Sequence, residues 1–211
     1  MKVSAALICC ASLAGCLGLG PSNNGGGGGG AAATTTSSLA QFDSKFNEVS
    51  GLPATLTKLT GTAEYTGKVS IRTDPNAPPT SSDVVVGDLD MDIDFDNGTS
   101  PITATATNFN GSVNGQDVTI DGTLSTANAQ NQVNAVTSTN TGVGTVTGIS
   151  VGLEGALSDP NSTLTGDALM TLQGTFRGDN GAAINGASGL VVRPSSGPNV
   201  VTGGQFYAER N

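Results

Sequence analysis

The stretch Val86-Gly-Asp-Leu-Asp-Met-Asp-Ile-Asp-Phe-Asp96 decides the fold of this chain. Apolar residues alternate with aspartates throughout it, so that Leu89, Met91 and Ile93 share one face and the carboxylates share the other. A period of two is typical of a β-strand with one buried face and one exposed face. The stretch therefore predicts a strand whose apolar side lines a core.

The same alternation recurs from Thr60 to the C-terminus. No helical crossover lies between the segments, which predicts antiparallel pairing. Eight or nine such strands must close on themselves or cover a second sheet to bury their apolar faces. We expect an all-β fold over residues 53–211, a single eight-stranded antiparallel β-barrel, with a β-sandwich as the alternative. The predicted segments are Ala63–Ile71, Val85–Phe95, Ile102–Phe109, Val118–Leu124, Gln132–Thr137, Val143–Leu157, Ala168–Phe176, Ile184–Val192 and Val200–Ala208.

Asparagine–glycine pairs predict the hairpin turns, because both residues adopt left-handed backbone angles at low cost. The pairs begin at Asn97, Asn110, Asn114 and Asn185. Further glycines fall inside the strand segments, where they favour tight curvature at barrel corners. The sequence leaves the facing of the Thr/Ala-rich segment Ile102–Phe109 open.

Residues 39–52 predict a short amphipathic helix that caps the barrel. Leu39, Phe42, Phe46 and Val49 form one apolar stripe at helical spacing, and Gly51 follows the last of them. A helix this short is marginal in water, so its phenylalanines need a surface to pack on. We expect it to cover one end of the barrel; the alternative is a detachable lid over a ligand cavity.

The N-terminus predicts a lipid anchor. Residues 1–15 carry one lysine, a short apolar run and small residues, which is typical of a secretory signal peptide. Leu-Ala-Gly-Cys at residues 13–16 is similar to the bacterial lipobox, which makes Cys16 the expected site of acylation. An ordinary signal peptide with a chance cysteine is the alternative. Residues 16–38 are rich in Gly, Ala, Thr and Ser, as in flexible tethers.

Composition excludes several functional classes. The chain has no histidine, and Cys9 and Cys10 leave with the signal peptide. We therefore expect no enzyme and no cofactor, since the usual general base and thiol nucleophile are missing. A net charge of −9 disfavours nucleic acid, whose phosphates need clustered Lys and Arg.

Two groups of residues are weak candidates for binding a metal or haem. Asp92, Asp94 and Asp96 begin like a calcium loop, but an EF-hand needs Gly and Glu where Asn97 and Thr103 stand. A solvated row of charges that protects the strand is the favoured interpretation. The two tyrosines, Tyr65 and Tyr207, could ligate haem iron, but each fits ordinary strand packing better.

Four short segments resemble the β-barrel domain of transferrin-binding protein B, a family of Gram-negative surface lipoproteins. They are Gly61–Gly67, Asp94–Thr99, Gly174–Gly186 and Gly203–Arg210, in that order along the chain. The resemblance covers roughly residues 52–211. It implies an eight-stranded antiparallel barrel with variable binding loops; family members bind transferrin, haem, haemoglobin or complement regulators.

We expect a non-enzymatic, lipid-anchored protein of the outer membrane, at the cell surface or on the periplasmic face. Loops on a rigid scaffold are free to vary, so they are the expected binding elements for a protein or small-molecule ligand. A structural envelope protein without a ligand and a lipocalin-like carrier of a small apolar molecule are the alternatives. The loop residues concerned are Asp74, Pro75, Asn76, Pro78, Pro79, Pro194, Pro198 and Asn199.

Overall fold

Antiparallel strands dominate the computed structural model, which describes residues 35–73, 83–113, 115–158 and 164–211. These described residues belong to one compact unit. One α-helix precedes the strands, and a single 3-10 turn lies at Thr126–Asn128. The elements are α1 (Thr35–Ser50), β1 (Thr62–Arg72), β2 (Val84–Asp94), β3 (Ile102–Val113), β4 (Gln116–Gly122), β5 (Leu124–Ser125), β6 (Asn134–Asn140), β7 (Thr145–Ser158), β8 (Gly166–Arg177), β9 (Ala183–Arg193) and β10 (Val200–Arg210).

The strands close into an eight-stranded antiparallel barrel, which confirms the predicted fold over the sandwich. β2 pairs with both β1 and β3, and β1 pairs with β10, so the first and last strands meet. β4, β5 and β6 share the wall position between β3 and β7. Where β6 begins beside β3, the Asn134 side chain donates to the Ile102 carbonyl (2.7 Å) and accepts from the Ile102 N–H (2.9 Å). The Asn134 amide thus takes the place of a backbone partner.

Inward-facing apolar side chains line the interior of the barrel. They form one continuous cluster of buried apolar residues drawn from nine of the strands, with Tyr65, Phe176 and Phe206 among the largest. Small residues make room beside large ones: Leu89 lies between Gly67 and Ala106 on the neighbouring strands. A Cβ on Gly174 would lie 2.7 Å from the Phe206 ring.

A β-bulge settles the facing of β3. Ile102, Ala104 and Ala106 point inward, and Phe109 also points inward although it is three residues further on. The extra residue is Asn108, whose φ of 54° is left-handed. The register of β2 against β3 shifts at this point, between Val86 and Asp88.

Two of the predicted turns are wrong. Asn110-Gly111 lies inside β3 and Asn185-Gly186 lies inside β9. A Cβ on Gly111 or Gly186 would lie 2.0 Å from a backbone oxygen of the adjacent strand, so these glycines serve close strand approach. Of the pair at residues 114–115, Gly115 lies between β3 and β4 with a φ of 73°, and Asn114 lies outside the described residues.

The helix is present but lies along the outer face of the barrel wall, not over an end. It begins at Thr35 and ends at Ser50, where residues 39–52 were predicted. Phe42 and Val49 are buried against an outward-facing strip formed by Val86, Ala183 and Tyr207. This strip is distinct from the interior cluster, because neighbouring residues such as Val85 and Phe206 point inward.

The segment after the helix closes one end of the barrel. Its backbone pairs with the ends of β8 and β7: the Thr55 N–H donates to the Phe176 carbonyl (3.1 Å), and the Thr145 N–H donates to the Leu56 carbonyl (2.8 Å). Leu59 joins the interior cluster and is 7% exposed. We call residues 52–61 the strap and this end of the barrel the strap end.

Candidate binding surfaces

The two predicted binding loops leave from the same end of the barrel, opposite the strap. β1 and β9 both run towards this end, and β2 and β10 return from it. The loops join these strand pairs, as residues 73–83 and 194–199. We call this the loop end.

The first loop is fixed at its base. The Thr73 N–H donates to the Asp83 carbonyl (3.0 Å), and the Asp83 carboxylate accepts from the Ser112 hydroxyl (3.1 Å) and the Gly115 N–H (2.8 Å). The Thr73 hydroxyl in turn donates to the Ser112 carbonyl at 3.1 Å. These contacts tie the base of the loop to the β3–β4 turn. The predicted residues Asp74, Pro75, Asn76, Pro78 and Pro79 lie outside the described residues, as does Cys16.

The second loop is described throughout. Pro198 and Asn199 are exposed, and Pro194 is half-buried beside the end of β9. Gly197 has a φ of 98°, a backbone conformation that residues other than glycine rarely adopt. The exposed part of this loop is therefore available for contact, while its first residue packs on the barrel.

The acidic row consists of the alternate aspartates from Asp88 to Asp96, and its members within β2 lie on the outer face of that strand, as the alternation predicts. Asp90 and Asp92 are exposed. Asp94 and Asp96 form the turn after the strand: Asp94 Oδ1 accepts from the Asp96 N–H (3.1 Å), and Asp96 Oδ2 accepts from the Gly61 N–H (2.8 Å). Among the described residues, no three acidic, His or Cys side chains are close enough together to hold a metal ion.

Asp88, at the other end of the row, is paired. Lys68 on β1 donates to one of its oxygens, and the Asn108 side chain donates to the other at 2.7 Å. Burial alone would raise the pKa of Asp88, but these two hydrogen bonds outweigh it and hold the pKa below its ordinary value. The bulge residue thus gives the carboxylate a second donor that the strand alternation could not predict.

The helix adds a second set of charges beside this pair. Lys45 Nζ lies 3.1 Å from Glu48 on the same helix and 3.1 Å from Glu209 on β10. Hydrogen bonds from Lys45 to Glu209 and Glu48 raise the lysine pKa. At the end of the helix, the Ser50 hydroxyl accepts from Asn185, which also accepts from Arg177. Both apolar and polar contacts therefore hold the helix against the barrel wall.

The tyrosines have different surroundings, and neither fits an axial haem ligand in an apolar pocket. Tyr65 points into the barrel, is 1% exposed, and donates to the Gly181 carbonyl at 2.8 Å. Burial raises the pKa of Tyr65 to about 12. Tyr207 packs against Phe42 on the outer wall, with ring centroids 5.4 Å apart. Burial and the nearby Glu209 raise the pKa of Tyr207.

No family model and no curated protein matches this chain. In the part of the chain that the structure describes, the helices are too short or too polar to cross a membrane.

Proposed function

We propose that this chain is a lipid-anchored surface protein that binds a partner through the loop end of its barrel, without catalysis. The observation that carries the proposal is the position of the two predicted binding loops at one end of a closed barrel. The wall closes through paired strands that carry the core, so substitutions there endanger the fold, whereas loops tolerate variation. The lipobox at residues 13–16 supports the anchor.

The anchor is tested by Cys16→Ala in a Gram-negative host. A lipid chain at Cys16 would hold the protein in the membrane fraction, because acyl chains partition strongly into bilayers. We expect the variant to leave that fraction or to remain unprocessed. Unchanged membrane attachment and mobility would contradict lipidation at this residue.

The loops are tested by exchange with a matched control. One variant replaces Pro194–Asn199 with a Gly/Ser linker of equal length, and the control replaces the β6–β7 turn, Thr141–Gly144, at the strap end. We expect partners captured by the wild-type protein from envelope extracts and host serum to be lost from the first variant and kept by the second. Equal capture by both variants would contradict binding through this loop. Absence of any reproducible partner would favour a structural envelope role.

A further inference from the structure

A cleft lies where α1 crosses the outer wall of the barrel, away from both barrel ends. Its volume is about 320 Å³, within the range of small-molecule sites. Gln41 and Lys45 line it from the helix, and Lys68, Asp88, Asn108 and Tyr207 line it from the wall. The same four wall residues also line the adjoining depression over β1 and β2. We call this the helix–barrel cleft.

The charges in the helix–barrel cleft already have partners. Lys68 forms an ion pair with Asp88, and Lys45 forms ion pairs with Glu209 and Glu48. An anionic ligand would have to displace a carboxylate from one of these lysines. A cationic ligand would have to compete with the same lysines for the carboxylates. Neither charge is favoured in the cleft.

Hydrogen-bonding capacity nevertheless remains. Tyr207 is 8% exposed, and its hydroxyl has no hydrogen-bond partner in the described residues. No buried side-chain polar atom in that part of the chain lacks a partner, so this hydroxyl opens to the cleft. A carboxylate accepts about four hydrogen bonds and an ammonium group donates three, which leaves Asp88, Glu209 and Lys45 with spare capacity.

We propose that the helix–barrel cleft binds a neutral, hydroxyl-rich ligand, a hexose unit of a saccharide. Each sugar hydroxyl can donate to a spare carboxylate lone pair and accept from a lysine or from the Tyr207 hydroxyl. Adjacent hydroxyls on one ring need neighbouring acceptors and donors, which the cleft and the adjoining depression supply as Lys45, Tyr207, Asp88 and Glu209. The ligand leaves both ion pairs intact.

A glycan array tests the proposal on the detergent-solubilised full chain. The array carries neutral oligosaccharides of glucose, galactose, mannose and N-acetylhexosamines beside sialylated and sulfated ones, and the dissociation constant of the strongest neutral ligand is measured by calorimetry. Tyr207→Phe keeps the ring against Phe42 and removes only the hydroxyl. We expect it to weaken binding about five- to tenfold, the effect of one lost hydrogen bond. Thr139→Val, which removes an exposed hydroxyl on β6, is the matched control and should bind as the wild type does.

Three results would overturn the proposal: no neutral glycan is bound, only anionic glycans are bound, or Tyr207→Phe binds with unchanged affinity. If Tyr207→Phe melts below the wild type, Gln41→Ala on the exposed part of the helix replaces it and should also weaken binding. The variant with Pro194–Asn199 replaced should keep its glycan affinity, because that loop is not part of the cleft. This site can therefore fail or stand independently of the loop end.

Discussion

Phe42→Ala should detach the helix from a barrel that stays folded. Phe42 is 2% exposed, and its ring lies 5.4 Å from Tyr207 and 5.9 Å from Phe46, centroid to centroid. Burial of a phenylalanine is worth about 2 kcal/mol, and two aromatic pairs add about 1 kcal/mol together. We expect a loss of about 3 kcal/mol, which lowers the docking equilibrium about a hundredfold. Among residues 38–50, whose side chains the structure describes, Val49 would be the only fully buried one left on the helix.

Hydrogen exchange measured by mass spectrometry follows this change directly. Amides of residues 38–50 should exchange about a hundredfold faster in the variant, since a free helix of this length is marginal in water. Amides of β8 and β9 should keep their protection, because the barrel wall closes without the helix. Ser44→Ala, on the exposed face of the helix, is the control and should change neither region.

Two outcomes would refute this reasoning. If the barrel strands lose protection together with the helix, the helix and barrel form one cooperative unit and the outer strip is part of the core. If the helix keeps its protection, the polar contacts of Lys45 and Ser50 hold it without Phe42. In both cases the separation into two apolar clusters would have no thermodynamic meaning.

Three further predictions concern the barrel itself. Gly204→Ala would place a Cβ 1.9 Å from the Ser70 carbonyl and should cost about 3 kcal/mol or more in urea unfolding, whereas Gly98→Ala, with open space around it, should leave the unfolding midpoint unchanged. The free energy of unfolding should fall as the pH rises from 10 to 12, because the pKa of Tyr65 is near 10 in the unfolded chain and about 12 in the folded protein. The loss is at most about 2 kcal/mol after allowance for solvent screening. Tyr65→Phe should abolish that part of the pH dependence. Haem titrated into the protein should keep the Soret band of free haem, and a saturable shift removed by Tyr65→Phe or Tyr207→Phe would contradict this.

Strand alternation made the barrel predictable, but the ambiguity of Asn-Gly limited the prediction of turns. The same dipeptide joins two strands at Gly115 and lies inside a strand at Gly111 and Gly186. Glycine is needed in the first case for a positive φ and in the other two for the close approach of a neighbouring backbone. Local sequence cannot separate these uses, because the second depends on a strand that is distant in the chain.

The position of the helix on the outer wall was not predicted, although the strands contain a signal for it. The apolar stripe of the helix indicates only that the helix packs on some surface. The complementary strip is formed by apolar residues at outward-facing positions, where the apolar–polar alternation of the strands would place polar residues. Val84 and Val86 face outward beside the inward Val85, and Tyr207 faces outward between Phe206 and Ala208. An apolar residue at an outward position is a signal for a covering element, and it was present in the sequence.

The bulge in β3 also has a signal in the sequence, because the spacing of the apolar residues changes there. Ile102, Ala104 and Ala106 follow a period of two, and the next large apolar residue is Phe109, one position late. An asparagine stands in the gap, the non-glycine residue that best tolerates a left-handed backbone. The same residue then donates to Asp88 and lines the helix–barrel cleft. A break in the period therefore marks both the point where the wall bends and the point where its outer face gains a polar site.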